Sequence, residues 1–173
     1  YFVSTKRELI LIMSEVYLGN PNLKKANTQI EFTQEQIQEF IKCQGDPVYF
    51  ANNYIKIVSL DEGLTQFHPY DFQEKLIHNF HENRFNICKM PRQTGKSTTV
   101  VSYLLHYAVF NDSVNIGILA NKAATARELL NRLQTAYENL PKWMQQGVLV
   151  WNRGSLELEN GSKILAASTS ASA

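Results

Sequence analysis

The stretch MPRQTGKST, residues 90–98, contains residue types that bind nucleotide phosphates, in the required order. Gly95 lets the backbone bend toward a phosphate, Lys96 can reach the terminal phosphates, and the Ser97 hydroxyl can ligate Mg²⁺. A helix starting here offers an anion its unpaired N–H groups and the positive end of its dipole. The stretch therefore predicts a Walker A site for ATP, with these phosphate-binding residues: Gln93, Thr94, Gly95, Lys96, Ser97 and Thr98.

The segments on either side of this loop fit a phosphate-binding role. Residues 85–90, FNICKM, predict a buried strand before the loop, and residues 97–110 predict a long apolar helix after it. The full motif GxxxxGK(S/T) has glycine where this chain has Met90, so the match is imperfect. The alternative is an ordinary strand-to-helix turn with a solvated Lys96, but the flanking strand and helix favour the nucleotide site.

Gln73 is the candidate for recognising the base of the nucleotide. It lies near the start of a predicted helix. This helix begins in the segment from His68 to Gln73 and carries Leu76, Ile77 and Phe80 on one face. A glutamine amide can pair with the edges of adenine, and the rings of Tyr70 or Phe72 could cover its face. The alternative is a polar residue on the solvent-exposed face of that helix. The Walker A loop downstream favours the adenine-binding interpretation.

The segments after the loop predict the alternation of strands and helices that is typical of α/β proteins. Residues 114–120 form a continuous apolar run, which predicts a strand buried on both faces of a parallel sheet. Residues 123–140 then predict a helix with this inward face: Ala126, Leu129, Leu130, Leu133 and Ala136. In this order of elements, ligands bind at the carboxyl ends of the strands. Lys122 and Arg127 flank that edge and could touch phosphate or nucleic acid, although lone charges are more often solvated.

Shorter elements complete the chain at both ends. Three strand candidates, 148–151, 155–159 and 163–166, are separated by the hairpin turns NRG and NG. Upstream, Thr33 predicts a capping box for a helix over 33–43, and Asp46 followed by Pro47 predicts a second helix to Tyr54. Residues 55–58 alternate as a strand before a turn at 61–63, and the apolar run 9–13 predicts a helix near the amino terminus.

Composition predicts a globular chain that is not broadly basic. The 173 residues are 44% hydrophobic and carry a formal charge of +1, so any nucleic-acid contact must come from local patches. Cys43 and Cys88 are predicted as small core residues rather than a disulfide, and the four histidines lack zinc-ligand spacing. With no secretory leader and no long apolar run, we expect a soluble intracellular protein.

Five motifs together resemble one protein family: DPVYF at 46–50, YDFQ at 70–73, MPRQTGKST at 90–98, GILANK at 117–122 and WNRGSLELENGSKI at 151–164. They resemble the large terminase subunit of tailed bacteriophages, of the myovirus type, over residues 30–173. The resemblance implies an α/β fold with a P-loop NTPase parallel sheet flanked by helices, a helical amino-terminal lead and a small β-hairpin region. The expected division is a lead or subdomain over 1–60 and a partial ATPase core over 61–173.

The resemblance also implies roles for individual residues and partners. Arg92 and Lys96 would be the catalytic residues, Arg92 as the phosphate-sensing arginine and Lys96 as the phosphate-binding lysine, and Ser97 would ligate magnesium. Gln73 would read adenine. The implied activity is an ATP- and Mg²⁺-dependent motor that moves double-stranded DNA into a preformed capsid. Its implied partners are the portal protein, the small terminase subunit and further copies in a ring, with no membrane. The implied location is the host cytoplasm, at the procapsid portal.

Arg92 also has a physical case independent of the resemblance. A fixed guanidinium at the mouth of the loop can stabilise charge that develops on a transferred phosphoryl group. The alternative is a solvated loop arginine.

An acidic pair for hydrolysis is the feature that the sequence does not provide. One carboxylate must hold Mg²⁺ and another must orient water, at the end of a later strand. Asp112, Glu157 and Glu159 follow no hydrophobic strand in the required way. We therefore expect an amino-terminal fragment that binds ATP and hydrolyses it poorly, without the nuclease domain of the family.

Two other functions stay open from the sequence. A superfamily 2 helicase or translocase also joins an upstream glutamine to a Walker A loop, but GILANKAATA at 117–126 does not match its next motif. A module of another class would use a degenerate loop as an interaction scaffold and hold no nucleotide.

Overall fold

The computed structural model describes residues 16–59 and 61–169, and it has a mixed α/β architecture. Its five α-helices in chain order are α1 (Gln34–Gly45), α2 (Pro47–Tyr54), α3 (Asp71–Glu82), α4 (Lys96–Phe110) and α5 (Ala123–Glu138). Its strands are β1 (Lys56–Ser59), β2 (Gly63–Gln66), β3 (Asn115–Ala120), β4 (Val148–Trp151), β5 (Ser155–Leu158) and β6 (Lys163–Ser168). Within the described ranges, no helix is long and apolar enough to cross a membrane.

The larger sheet has the strand order β3-β6-β5-β4. β4, β5 and β6 form the antiparallel meander that the two turn motifs predict, and β6 then runs parallel to β3. Gly161, which lies in the second turn, has a φ of +81° that favours glycine. The sheet is therefore mixed: β3 and β6 pair in parallel, whereas the predicted hairpin region pairs antiparallel and joins the same sheet, because hairpin turns join antiparallel neighbours.

One face of the larger sheet is covered by a helix, and no element within 16–59 and 61–169 covers the other. α5 packs on β3 and β6 through the predicted inward residues, of which Ala126, Leu130, Leu133 and Ala136 are buried. On the open face, Leu119 of β3 is 65% exposed and Leu165 of β6 is 54% exposed. The prediction that β3 is buried on both faces is wrong, because no described element covers its second side.

The amino-terminal helices begin where their capping residues predict. The Thr33 hydroxyl accepts a hydrogen bond from the Gln36 N–H at 3.2 Å, and the Gln36 side chain accepts from the Thr33 N–H at 3.1 Å. The Asp46 carboxylate accepts from the Val48 and Tyr49 N–H groups, both at 2.9 Å. These caps satisfy N–H groups that a helix start leaves unpaired. Both predicted helices are thereby confirmed.

A single hydrophobic core runs through the described part of the chain. α4 lies at its centre, packed against α2, α3 and α5. The core includes Leu23, Cys43 and Phe50 from the first third of the chain together with Leu105 and Leu130, so it crosses residue 60. Cys43 is buried and free, as predicted. The predicted helix near 9–13 lies outside the described residues.

A small hairpin, β1 with β2, packs beside α2 and α5. The strand predicted over 55–58 is confirmed as β1, and Gly63 begins β2 with a φ of +71°. Phe67, which follows β2, donates its N–H to the Ile55 carbonyl at 2.8 Å. This bond ties the hairpin to the end of α2 and fixes the segment that leads into α3.

Candidate phosphate-binding loop and adjoining cleft

The segment before the loop is extended but is not a strand. Residues 85–90 pair with no strand of either sheet, and Phe85 and Ile87 are 82% and 100% exposed. Cys88 is exposed and free, so its prediction as a core residue is wrong. Alternating apolar residues form a strand only when a neighbour is available for their backbone groups, and the described residues provide none. The predicted strand is therefore absent, and the loop starts from an extended segment.

The loop backbone turns through two left-handed residues before α4 begins. Gln93 has a φ of +63° and Gly95 a φ of +72°, and Gly95 is the residue from which α4 starts. Left-handed residues within a tight loop allow neighbouring N–H groups to converge on one point, as in anion-binding nests. A helix of 15 residues adds its positive dipole end at the same place. The helix predicted over 97–110 is confirmed and begins one residue earlier.

Lys96 lies in the first turn of α4 and points back into the loop. Its ammonium donates to the Met90 carbonyl at 3.3 Å and also to the Pro91 carbonyl. The Thr94 hydroxyl donates to the same Pro91 carbonyl at 3.1 Å. The lysine therefore crosses the mouth of the loop, where its charge neutralises two carbonyl dipoles.

The remaining loop residues lie around this centre. Ser97 and Thr98 are half-buried in the first turn of α4, and Thr99 is buried with its hydroxyl donating to the Gly95 carbonyl at 3.1 Å. Arg92 is exposed at the outer side of the loop. Its guanidinium is thus accessible from solvent.

Gln73 lies against the loop and is only 3% exposed. Its side-chain oxygen accepts from the Tyr70 N–H at 2.9 Å, and its side-chain nitrogen donates to the Thr94 carbonyl at 3.3 Å. The interpretation of Gln73 as a polar residue on a solvent-exposed helix face is therefore wrong. The tertiary fold brings Gln73 and the loop together, as the adenine hypothesis requires, although both ends of its amide are engaged by the protein.

A cleft of about 610 Å³ opens between the loop and the β1–β2 hairpin. We call it the Gln73 cleft, and it is lined by Ile57, Glu62, Thr65, Gln66, Phe67, His68, Tyr70, Phe72, Gln73, Gln93, Thr94, Gly95 and Thr98. The rings of Tyr70 and Phe72 stack at its rim, with centroids 5.8 Å apart and planes within 12°. The sequence predicts β1 but neither β2 nor the place of the hairpin in the cleft, because β2 alternates too weakly between polar and apolar residues to be predicted.

The loop and its helix fall within a region that matches a known protein family. The family model described as the N-terminal part of the T4-like virus type of terminase large subunit matches residues 87–173. The chain belongs to this terminase family. Membership gives the protein a general role in viral DNA packaging, and it agrees with the family that the sequence motifs resemble.

Outside the loop of this terminase chain, two acidic candidate residues form ion pairs with lysines, and the two basic candidates are exposed. Glu157 pairs with Lys163 at 3.3 Å on the larger sheet, and Glu159 pairs with Lys24 at 3.0 Å. Lys122 is exposed at the start of α5, directly after the carboxyl end of β3, and Arg127 is exposed within α5. Both acids are thus engaged in contacts within the fold.

Proposed function

We propose that this terminase chain binds MgATP at the 90–98 loop and forms the nucleotide-binding part of a DNA-packaging ATPase with a P-loop NTPase fold. The observation that carries the proposal is the loop itself, in which left-handed Gln93 and Gly95 lead into the amino terminus of α4 beside the Gln73 cleft. A nucleotide needs these three features together: N–H groups for phosphate, a cation, and an apolar cleft for the base.

In this proposal each loop residue has a defined role. The N–H groups from Gln93 to Thr98 and the Lys96 ammonium bind the phosphates, and the Ser97 hydroxyl ligates Mg²⁺. Binding requires Lys96 to exchange the Met90 and Pro91 carbonyls for phosphate oxygens, which are charged and therefore stronger acceptors. The base occupies the cleft next to the stacked rings of Tyr70 and Phe72.

Hydrolysis and translocation complete the proposal. Arg92, exposed at the loop, would stabilise charge on the transferred phosphoryl group. Glu157 and Glu159 are engaged with lysines, so we expect the chain by itself to hydrolyse ATP slowly.

In the working motor, we propose that copies in a ring act with the portal protein and the small terminase subunit on double-stranded DNA. We propose the procapsid portal in the host cytoplasm as the place of action.

The experiment that tests nucleotide binding uses a fluorescent ATP analogue and the purified chain. We expect saturable binding with Mg²⁺, and we expect Lys96→Ala to weaken it about tenfold or more, because one charge-assisted contact to phosphate is lost. Lys25→Ala is the matched control, since Lys25 is exposed and pairs with β4 instead of the loop. Binding that is equally tight in Lys96→Ala would reject the assignment.

One observation favours the alternative of a loop that holds no nucleotide. The Lys96 ammonium already has two acceptors within the loop, so the site is satisfied without a ligand. In that case the analogue would not saturate the wild-type chain, and the module would act through protein contacts. The same titration separates the two functions.

A further inference from the structure

The sugar of a bound nucleotide would lie where the Gln73 cleft meets the 90–98 loop. In the proposed function the loop binds the phosphates, and the base lies next to the stacked rings at the rim of the cleft. Because the sugar joins base and phosphates covalently, it must occupy the stretch between these two places. The residues that can contact it there are those that the loop contributes to the cleft: Gln93, Thr94, Gly95 and Thr98.

Gln93 is the residue of this set that combines length, exposure and an uncommitted polar end. Gly95 has no side chain, and the Thr94 hydroxyl donates to the Pro91 carbonyl at 3.1 Å. Thr98 is short and half-buried in the first turn of α4. Gln93 is exposed, and its side-chain amide has no hydrogen-bond partner within residues 16–59 and 61–169. Its donor and its acceptor are therefore both available to a ligand.

The backbone at Gln93 supports a role for this side chain. Gln93 has a φ of +63°, in the left-handed region that strains a residue with a Cβ and suits glycine. A glycine would make the same bend with less strain, as Gly95 does with a φ of +72°. Strained residues of this kind concentrate at ligand-binding and catalytic sites. The strain at Gln93 is therefore consistent with a side chain that contacts the ligand.

We propose that Gln93 recognises the sugar of the nucleotide through hydrogen bonds between its side-chain amide and the ribose hydroxyl groups. A hydroxyl group both donates and accepts, so a pair of hydroxyls suits an amide that offers one donor group and one acceptor group. Gln93 is then a specificity-determining residue, which favours a ribonucleotide over ligands without sugar hydroxyls. This inference rests on the proposed function, because it assigns one further contact within the same site.

The test compares ATP, dideoxy-ATP and tripolyphosphate, each with Mg²⁺, by isothermal titration calorimetry on the purified chain. Dideoxy-ATP lacks both sugar hydroxyls, and tripolyphosphate lacks sugar and base. We expect the wild-type chain to bind ATP about tenfold more tightly than dideoxy-ATP, because hydrogen bonds to the hydroxyls are lost. In Gln93→Ala this ratio should fall to about one, while the affinity for tripolyphosphate changes less than about twofold. Gln38→Ala, which alters an exposed glutamine of α1 outside the cleft, should keep the wild-type ratio.

A second variant separates the side chain from the backbone strain. Gln93→Gly removes the amide and also relieves the left-handed φ, whereas Gln93→Ala keeps a Cβ at this position. We expect both variants to lose the preference for ATP over dideoxy-ATP. A preference that survives in either variant would overturn the inference, and so would a wild-type chain that binds ATP and dideoxy-ATP equally. If the wild-type chain binds neither ATP nor tripolyphosphate, the proposed function falls and this inference with it.

Discussion

At the residue scale, the loop pairs its own polar groups with one another. The Pro91 carbonyl accepts from both the Lys96 ammonium and the Thr94 hydroxyl. Since a phosphate is also an acceptor, it would compete with this carbonyl for the same donors. The affinity of the loop for phosphate should therefore reflect the difference in free energy between the hydrogen bonds within the loop and those to phosphate. It should be sensitive to substitution of Lys96, because this side chain takes part in both sets.

Arg92 gives the prediction that separates chemistry from binding. In a whole large terminase subunit that carries this sequence, we expect Arg92→Ala to lower kcat about 100-fold or more while KM for ATP changes less than about threefold. The physical reason is that an exposed guanidinium gains its partner when charge develops on the phosphoryl group. Steady-state ATPase assays measure both constants, with Arg153→Ala in the exposed β4–β5 turn as the control. Equal losses in binding and turnover would indicate a merely positional role.

At the scale of elements, one carboxylate attaches the amino-terminal segment to the larger sheet. Glu159 accepts from the Gly147 N–H at 2.6 Å, the Asn27 N–H at 2.8 Å and the Lys24 ammonium at 3.0 Å. Burial would raise the pKa of Glu159, but these donors lower it below its ordinary value. The carboxylate therefore stays charged and holds three segments together.

Gly147 tests this attachment, because Ala26 and Glu159 both lie close to its Cα. A Cβ there would be 2.4 Å from the Ala26 Cα and 2.5 Å from a Glu159 oxygen. We expect Gly147→Ala to lower the free energy of unfolding by about 2 kcal/mol, through overpacking and a displaced carboxylate. Urea denaturation measures the change. Gly45→Ala is the control, since nothing lies within 4 Å of its added Cβ, and a loss of the same size there would refute the steric explanation.

At the scale of the whole molecule, the helices meet around a buried histidine. His106 of α4 is 2% exposed, and its Nε2 lies 2.8 Å from the Cys43 carbonyl at the end of α1. A carbonyl only accepts, so Nε2 carries the proton, and Nδ1 is buried with no hydrogen-bond partner among the described residues. The rings of Phe50 and Phe110 lie 5.5 and 4.9 Å from it. Burial lowers the pKa of His106 to about 4.

This shift predicts how stability depends on pH. The folded chain keeps His106 neutral, whereas the unfolded chain takes up a proton below about pH 6.5. As pH falls from about 6.5 to 4, His106 should therefore remove about 3 kcal/mol of stability. His106→Gln should flatten the fall in urea-derived stability over this range, and His78→Gln, which alters an exposed histidine of α3, should not. An unchanged slope in His106→Gln would show that other groups cause the acid loss.

The sequence by itself determined the elements whose signals are local. Caps at Thr33 and Asp46 placed two helix starts, the turns at 152–154 and 160–161 placed the β4–β5–β6 meander, and the glycine and lysine of the loop identified the candidate site. Each of these signals depends on residues within a few positions of one another, so no knowledge of distant contacts was needed. Five motifs also sufficed to indicate the family.

Only the tertiary structure decided features that depend on distant neighbours. Among the described residues, it provides 85–90 with no strand partner and one face of β3 with no cover, and it exposes Cys88. It also buried Gln73 against the loop and placed the β1–β2 hairpin across the cleft. The physical reason is that burial and strand pairing are properties of the surroundings: an apolar or polar residue has the same local sequence whether or not another segment covers it.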